Sequence, residues 1–384
     1  MDKIRIITYH RAVNNGALLQ ALGLIEHLQK MLPNKDIKII DCRSLRMELM
    51  EFLKIFKPSR KKPFFHLKRF IKFRKFQKTL PLENIGHYSN LSIIIKKINR
   101  QNYRAIFVGS DSIWKFSSSF FLPKIPNIYW LSPKISTKTI SYAASAYQYQ
   151  EELLPEYRGN LLKQINAFDL VSVRDTETKE LILEIGYKKT IYQIPDPAFF
   201  YQVKDTGVRQ KLIRFGLKPE KPIFAIITGY TNDRIAEITT YFRQRNYQVI
   251  ALSIYNPLAD FNLGDELTPD EWAEAFKYVS FCLTDRFHGA IFCLKNQTSF
   301  IAIETKATPA NKSKKYQLLS DFELIKECYL NIFKEGYQFE EFIDRYKNIR
   351  LNWQKNIKPK IDYGFAIVEE KSKRFDQKIL KIID

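Results

Sequence analysis

The segment Ile4-Arg5-Ile6-Ile7-Thr8-Tyr9-His10-Arg11-Ala12-Val13-Asn14-Asn15-Gly16-Ala17 decides the fold of the first half of the chain. Its apolar start predicts a strand over Ile4 to Thr8, and the amphipathic stretch after it predicts a helix over Ala17 to Met31. The same alternation recurs downstream, which is typical of an α/β protein with largely parallel sheets. The polar turn therefore follows the carboxyl end of a strand, where such sheets bind ligands.

The alternation is interrupted once, by Ile194-Pro195-Asp196-Pro197-Ala198 and the polar residues up to Thr206. Two prolines break the periodicity, so we interpret this segment as a linker. The predicted organisation is a Rossmann-like domain over residues 1–200, a second one over 207–335, and a helical extension over 336–384 that packs back across the domains. A helix start at Pro269 is well marked, because Thr268 and Glu271 form a capping box around it.

The remaining elements follow from the same periodicities. Further strands are predicted at 37–41, 105–108, 139–143, 170–173, 222–228, 248–253, 281–284 and 299–303. Further helices are predicted at 45–56, 90–98, 151–167, 176–185, 233–245, 268–279, 289–295 and from 339 to the end, with an interruption near Lys358-Pro359.

Composition limits the class of protein. With 384 residues, of which 45% are hydrophobic and 27% charged, the chain can fill two ordinary cores. No apolar run reaches membrane-spanning length and the start lacks a secretory signal, so we expect a cytoplasmic protein. Four cysteines without CxxC spacing predict buried thiols and no zinc site: Cys42, Cys282, Cys293 and Cys328.

The net charge of +21 predicts attraction to polyanions. Eight Lys and three Arg, with six Phe and no Asp or Glu, lie between Lys54 and Lys78, which we assign to the N-terminal domain. Placing residues 64–78 at helical intervals scatters the phenylalanines around the axis, so the segment is not a clean amphipathic helix. Basic and aromatic residues together favour contact with an anionic membrane surface. The alternative of a nucleic-acid binder is disfavoured, because the segment fits no recognised binding module.

Three segments of the first domain carry polar residues after a strand. His10, Asn14 and Asn15 follow the first strand, and their alternative role is ordinary turn geometry. In Val108-Gly109-Ser110-Asp111-Ser112-Ile113-Trp114, Asp111 could serve as a base or bind a hydroxyl, or it could cap the next helix. Arg174 follows Val171-Ser172-Val173 and could bind an anion, or form a salt bridge with Asp175 or Glu177.

The fourth segment, Phe281-Cys282-Leu283-Thr284-Asp285-Arg286-Phe287-His288-Gly289-Ala290, is the most informative. Arg286 and His288 lie two residues apart in a strand-to-helix connection, and Gly289 permits close backbone approach. The guanidinium offers a two-point contact to phosphate or carboxylate, and the imidazole transfers protons near neutral pH. Together they suit a small phosphorylated acid. The chain lacks GxGxxG after the first strand, GxxxxGK[ST], HExxH and DxD, so dehydrogenase, P-loop and zinc-hydrolase chemistry lose their main support.

These four segments, together with Ile140-Ser141-Tyr142-Ala143-Ala144-Ser145, resemble in order the polysaccharide pyruvyl transferase family, from about residue 3 to 325. The resemblance implies an architecture like that of type B glycosyltransferases, two Rossmann-like domains facing a cleft. It also implies transfer of the pyruvyl group of phosphoenolpyruvate onto a sugar hydroxyl pair of a bacterial-type cell-surface polysaccharide or its lipid-linked precursor, with release of phosphate.

On this resemblance, His288 is the proton donor and Arg286 the clamp for phosphate or carboxylate. Gly289 and Arg174 complete the donor site, and His10, Asn14, Asn15 and Asp111 bind the acceptor. No metal or resident cofactor is expected, and the enzyme would work peripherally at the inner face of the membrane. The alternative is a metal-independent type B glycosyltransferase that uses a nucleotide sugar, with Arg286 on the diphosphate.

Overall fold

A computed structural model describes residues 2–56, 62–88, 90–119, 122, 124–304 and 313–383. The chain forms two compact units, one of Met1–Pro58, Arg74–Gln202 and Val368–Asp384 and the other of Ser59–Phe73 and Val203–Ile367. One of the divisions between them, after Gln202, falls inside the predicted linker.

The first unit is built on a seven-stranded parallel sheet in the order β3-β2-β1-β4-β5-β6-β7. Its strands are β1 (Lys3–Ile7), β2 (Asp36–Ser44), β3 (Leu82–Tyr88), β4 (Ala105–Asp111), β5 (Lys138–Ala144), β6 (Val171–Val173) and β7 (Ile191–Gln193). The helices up to β7 are α1 (Asn15–Met31), α2 (Leu45–Leu53), α3 (Pro63–Gln77), α4 (Leu91–Asn99), α5 (Leu154–Ile165) and α6 (Thr176–Glu184).

The strand β1 lies inside this sheet, between β2 and β4, and its residues Ile4, Ile6 and Ile7 are buried. Arg5 is also buried, and its guanidinium forms ion pairs with Asp36 and Glu83, which lie on β2 and β3. An arginine is therefore accommodated inside an otherwise apolar strand because carboxylates from two other strands neutralise its charge.

The second unit contains a six-stranded parallel sheet in the order β10-β9-β8-β11-β12-β13. Its strands are β8 (Ile223–Ile227), β9 (Gln248–Ala251), β10 (Phe261–Asn262), β11 (Phe281–Thr284), β12 (Phe300–Glu304) and β13 (Tyr329–Asn331). The helices after β7 are α7 (Val208–Arg214), α8 (Asp233–Arg243), α9 (Pro269–Ala275), α10 (Phe287–Lys295), α11 (Lys314–Asp321), α12 (Ile325–Cys328), α13 (Phe339–Asn352) and α14 (Lys358–Ile383).

Several local predictions are confirmed. The helix α9 begins at Pro269 with the capping box of Thr268 and Glu271. A π-helical turn over Trp353–Ile357 separates α13 from α14, close to the predicted interruption. The four cysteines are free thiols, and three of them are buried. Among the described residues, no helix is both long and apolar enough to cross a membrane.

The basic segment differs from its prediction. Residues 59–73 group with the second unit, and 57–61 lie outside the described residues. Pro63–Gln77 is one continuous helix, α3. The ammonium group of Lys68 forms an ion pair with the Glu266 carboxylate, and Lys72 donates a hydrogen bond to the Glu266 carbonyl. Part of this cationic segment is therefore neutralised within the protein.

Candidate active site

Each sheet has one position where the strand order reverses. In the first sheet, β2 and β3 lie on one side of β1, and β4, the next strand along the chain, pairs with β1 on the other side. In the second sheet, β8 and β11 are related in the same way. Ligands of open parallel sheets bind beside the carboxyl ends of such strand pairs. Asp111 ends β4 and His10 follows β1, whereas Arg286 and His288 follow β11.

His10 is buried and uses both ring nitrogens inside the first unit. Its Nε2 lies 2.9 Å from the Asp41 carboxylate, and its Nδ1 lies 3.1 Å from the Thr8 carbonyl oxygen. Arg11 forms an ion pair with the same Asp41. These contacts attach the loop that follows β1 to the strand β2, so His10 has a structural role.

The two asparagines of this loop differ. Asn14 is exposed and caps α1, because its side-chain oxygen accepts a hydrogen bond of 3.0 Å from the Gly16 N–H. Asn15 is 95% buried, and its side-chain oxygen accepts no hydrogen bond from the described part of the protein. The same holds for the buried hydroxyl of Thr8. An unpaired buried polar atom costs about 1–3 kcal/mol, so Thr8 and Asn15 are suited to contact a polar ligand.

Asp111 stands beside a buried arginine. Its backbone is left-handed, with φ of 74°, and one carboxylate oxygen accepts a 2.8 Å hydrogen bond from the Ser112 N–H. The described residues directly after Asp111, 112–119, form no helix, so the expected alternative of a helix cap does not apply. The Arg174 guanidinium lies 3.7 Å from the Asp111 carboxylate.

Arg174 itself is held mainly by a residue that the sequence analysis did not consider. Its guanidinium contacts the fully buried Asp196 at 2.5 Å and lies 4.0 Å from Asp175. Burial lowers the pKa of Arg174, but Asp196, Asp111 and Asp175 together raise it above its ordinary value. Arg174 therefore stays charged and neutralises a cluster of carboxylates. Asp175 also caps α6.

Ser141, from the segment Ile140 to Ser145, and Ser172 are both buried. The strands β5 and β6 share only a short register, and these two serines connect them. The Ser141 hydroxyl donates to the Ser172 carbonyl at 2.9 Å, and the Ser172 hydroxyl donates to the Ser141 carbonyl at 2.6 Å. These hydrogen bonds join β5 to β6 two residues before Arg174, so the two serines have a structural role.

In the second unit, Thr284, Asp285 and Arg286 form the turn after β11. The Arg286 Nε lies 2.9 Å from one Asp285 carboxylate oxygen, an ion pair without hydrogen-bond geometry, and the other oxygen accepts a 3.0 Å hydrogen bond from the Thr228 hydroxyl. The Thr284 hydroxyl oxygen accepts a 3.0 Å hydrogen bond from the Arg286 N–H. The Asp285 side chain is 4% exposed, whereas that of Arg286 is 51% exposed. A buried carboxylate thus orients a guanidinium that faces solvent.

His288 lies in the first turn of α10, two residues after Arg286. No side chain caps this helix, and its first N–H groups have no partner within the helix. Gly289 packs against β11 so closely that a Cβ would overlap the Thr284 hydroxyl. The turn thus combines a cation, an imidazole and a helix N-terminus, which together favour an anionic ligand.

Sequence reasoning missed several polar neighbours of this turn. Glu304 ends β12, next to β11, and is buried. It accepts hydrogen bonds from the Ser313 hydroxyl and, at 3.1 Å, from the Lys315 ammonium. Burial raises the pKa of Asp285, and Glu304 adds to that increase, whereas Arg286 and Lys315 oppose it. No local motif marks Glu304 or Lys315, because only the strand order brings them to this edge.

The described residues contain no group of three His, Cys, Asp or Glu side chains that could hold a metal ion.

A sequence model of the polysaccharide pyruvyl transferase family matches residues 14–306. The chain belongs to this family. The matched range includes Asp111, Arg174, Arg286 and His288 and begins after His10. Membership makes the protein a transferase of polysaccharide biosynthesis.

Solved structures are similar over the whole chain. UDP-GlcNAc 2-epimerase from Neisseria meningitidis, solved with UDP-GlcNAc, is 9% identical, with 99% of this chain and 100% of the epimerase covered and a TM-score of 0.58. The epimerase from Methanocaldococcus jannaschii is 14% identical, with 97% and 99% covered and a TM-score of 0.54. At these identities the similarity shows the fold alone, and it confirms the predicted two-domain α/β fold of the type B glycosyltransferase kind. No curated protein matches the chain.

Proposed function

We propose that this pyruvyl transferase moves the pyruvyl group of phosphoenolpyruvate onto two hydroxyls of one sugar, giving a cyclic ketal and inorganic phosphate. The acceptor is a cell-surface polysaccharide or its lipid-linked precursor. The observation that carries the proposal is the turn after β11, where Asp285 orients an exposed Arg286 two residues before His288. Family membership supplies the reaction class.

The donor is a small dianion or trianion, and the turn supplies matching positive charge. The Arg286 guanidinium offers two parallel N–H donors to a phosphate or carboxylate. The N–H groups in the first turn of α10 point toward the start of the helix and offer further donors to the same anion. Lys315 adds a second cation beside the end of β12, where its ammonium group forms an ion pair with the Glu304 carboxylate.

The proton transfers follow from the donor's chemistry. His288 donates a proton to C3 of the enol, which leaves C2 electron-poor, and a sugar hydroxyl adds to C2 and loses its proton to a base. Phosphate then leaves with the C–O bond electrons and takes up the proton that the base removed from the first hydroxyl. The second hydroxyl adds to C2 and gives its proton to His288, which restores the proton donor. The helix N-terminus and Arg286 stabilise the negative charge on the departing phosphate.

Of the four residues predicted to bind the acceptor, we propose that only Asp111 and Asn15 contact it. His10 and Asn14 use their side chains to fix the loop after β1. Asp111 and Asn15 retain oxygen atoms for a ligand, so we assign Asp111 as the base for a sugar hydroxyl and Asn15 as a hydroxyl-binding group. Arg174 then serves to position Asp111, or to bind the donor as the resemblance implies.

A panel of ligands tests the donor in thermal unfolding. Phosphoenolpyruvate should raise the melting temperature, and UDP-, GDP- and CMP-sugars should not. Arg286→Lys should weaken the phosphoenolpyruvate effect by about tenfold in Kd, because an ammonium cannot make the planar contact. Arg243→Lys is the matched control, since Arg243 is an exposed arginine of the same unit paired with Asp260. Stabilisation by a nucleotide sugar alone would identify a glycosyltransferase.

We also propose that the reaction needs no metal ion, because the chain has no DxD motif and Arg286 supplies positive charge for the donor. Phosphate release should be unchanged in EDTA. The cellular place we propose is the cytoplasmic face of an anionic membrane, where lipid-linked glycans are assembled.

A further inference from the structure

The helix α2 and the 3-10 turn Lys54–Phe56 present an apolar stripe to solvent. Four large hydrophobic side chains at positions i, i+3, i+4 and i+7 are between 41% and 57% exposed: Leu49, Phe52, Leu53 and Phe56. The rings of Phe52 and Phe56 pack edge to face with centroids 5.5 Å apart. The stripe is therefore one contiguous surface.

The polarity of this helix is opposite to that of an ordinary surface helix. Met50 and Ile55 are buried on its inner side, and the charged residues described over 48–56, namely Glu48, Glu51 and Lys54, are less exposed than the apolar stripe. Lys54 and Glu51 form an ion pair along the side of the helix. In a solvated helix the most exposed positions carry the charges, but over the described residues 48–56 they carry Leu and Phe.

We propose that this apolar stripe inserts into the surface of an anionic lipid bilayer. The chain continues from the stripe into Lys54 to Lys78, which carries eleven cations and no Asp or Glu. Lys68 and Lys72 are bound to Glu266, Lys54 is paired with Glu51, and Arg69 is buried. We therefore assign the apolar contact to α2 and only the net positive charge of the segment to the attraction of lipid headgroups.

Charge decides between a membrane and a second copy of this chain as the occupant. A two-fold dimer through the stripe would bring two identical cation-rich segments close together, and their repulsion opposes association. An anionic bilayer attracts the same charge. The membrane is therefore the better complement to the stripe and its flank.

This docking deepens the proposed function, because it carries the enzyme to a lipid-linked acceptor, but the contact does not depend on pyruvyl transfer. Sedimentation of the full chain with phosphatidylcholine vesicles, with and without phosphatidylglycerol, tests it. Phe52→Ser combined with Phe56→Ser should lower binding to the anionic vesicles by about tenfold or more, because two apolar side chains leave the bilayer.

A matched control separates the stripe from general surface hydrophobicity. Leu53→Ser should weaken vesicle binding, whereas Leu183→Ser, at a similarly exposed leucine of the same unit, should not. Unfolding curves establish that each variant folds. In case the double serine variant does not fold, Phe56→Trp offers a second measurement, and its indole emission should shift to the blue on binding anionic vesicles.

Three results would overturn the docking proposal: folded stripe variants that bind vesicles like the wild type, no blue shift of the Phe56→Trp variant, or a wild-type dimer that the serine changes convert to monomers. Phosphate release with a water-soluble acceptor keeps the two proposals distinguishable. A protein that docks through the stripe but releases no phosphate from phosphoenolpyruvate would contradict the function and leave the docking intact.

Discussion

Asp285 is a buried carboxylate whose pKa is raised above 3.8, mainly by burial. Because the folded state holds its proton more tightly than the unfolded state, its contribution to stability is fully present below pH 3.8 and is lost as the pH rises through the higher folded pKa. Asp285→Asn should therefore be more stable than the wild type at neutral pH, and the difference should shrink toward pH 3.8. Urea unfolding at several pH values measures it. A difference independent of pH would contradict the account.

Gly289 allows α10 to begin directly against Thr284. A methyl group there would displace the Thr284 hydroxyl, which accepts from the Arg286 N–H. Gly289→Ala should destabilise the protein by about 1–3 kcal/mol and weaken phosphoenolpyruvate binding. Gly159→Ala is the control, because a Cβ at Gly159 in α5 meets nothing within 4 Å and should stabilise the helix by about 0.5–1 kcal/mol. Equal effects of the two changes would show that the contact with Thr284 is unimportant.

Arg174 neutralises Asp111, Asp175 and Asp196 at a buried position. Arg174→Met would leave these charges uncompensated and should cost about 3–5 kcal/mol in the free energy of unfolding. Arg243→Met removes an exposed ion pair and should cost less than about 1 kcal/mol. A folded Arg174→Lys variant separates the roles, because a specific loss of phosphoenolpyruvate affinity would assign Arg174 to the donor, whereas a loss of acceptor turnover alone would assign it to Asp111.

The strands that the sequence did not reveal share one property. Periodicity located the inner strands of both sheets, in which most residues are buried. Among the described strands, those missed are the outermost ones: β3, β7, β10 and β13. An edge strand is paired on one side only and is buried less, so it can be short or polar. Only the neighbouring strand, distant in sequence, defines it.

The sequence pattern did not reveal the buried face of α3 for a different reason. Its buried positions include Phe65, Arg69 and Phe73, which follow one another at i, i+4 and i+8. Because an arginine occupies one of these buried positions, the spacing of apolar residues alone does not predict this buried face. The partner of Lys68, Glu266, is 198 residues away in sequence, so no local pattern could reveal that this cation is paired.

The candidate site was predictable where the chemistry is local. Arg286 and His288 could be proposed because both lie in one strand-to-helix turn. By contrast, Asp196 lies in the segment interpreted as a linker, where Asp196, Pro197 and Ala198 are in fact buried. Glu304 reaches the turn through the order of the strands. Contacts of this kind depend on topology, which sequence periodicity does not specify.

The chain as a whole combines a transferase fold with a net charge of +21. In our account the charge has two separate uses. Arg286 faces solvent at the turn after β11 and binds the donor, whereas the cations that follow α2 attract the membrane. The two uses involve different side chains, so a salt concentration that releases the protein from vesicles should leave turnover of a water-soluble acceptor largely intact.

Phosphate release from phosphoenolpyruvate by the wild type and by His288→Ala, with a panel of glycosides that carry free hydroxyl pairs, decides whether the protein is the proposed transferase. The wild type should form phosphate and a pyruvylated glycoside in equal amounts. His288→Ala should bind phosphoenolpyruvate with little change in affinity but lose turnover by about 100-fold or more, because the proton donor for C3 is missing. Normal turnover by His288→Ala would remove His288 from the mechanism, and a wild type that neither binds nor consumes phosphoenolpyruvate would contradict the proposed donor.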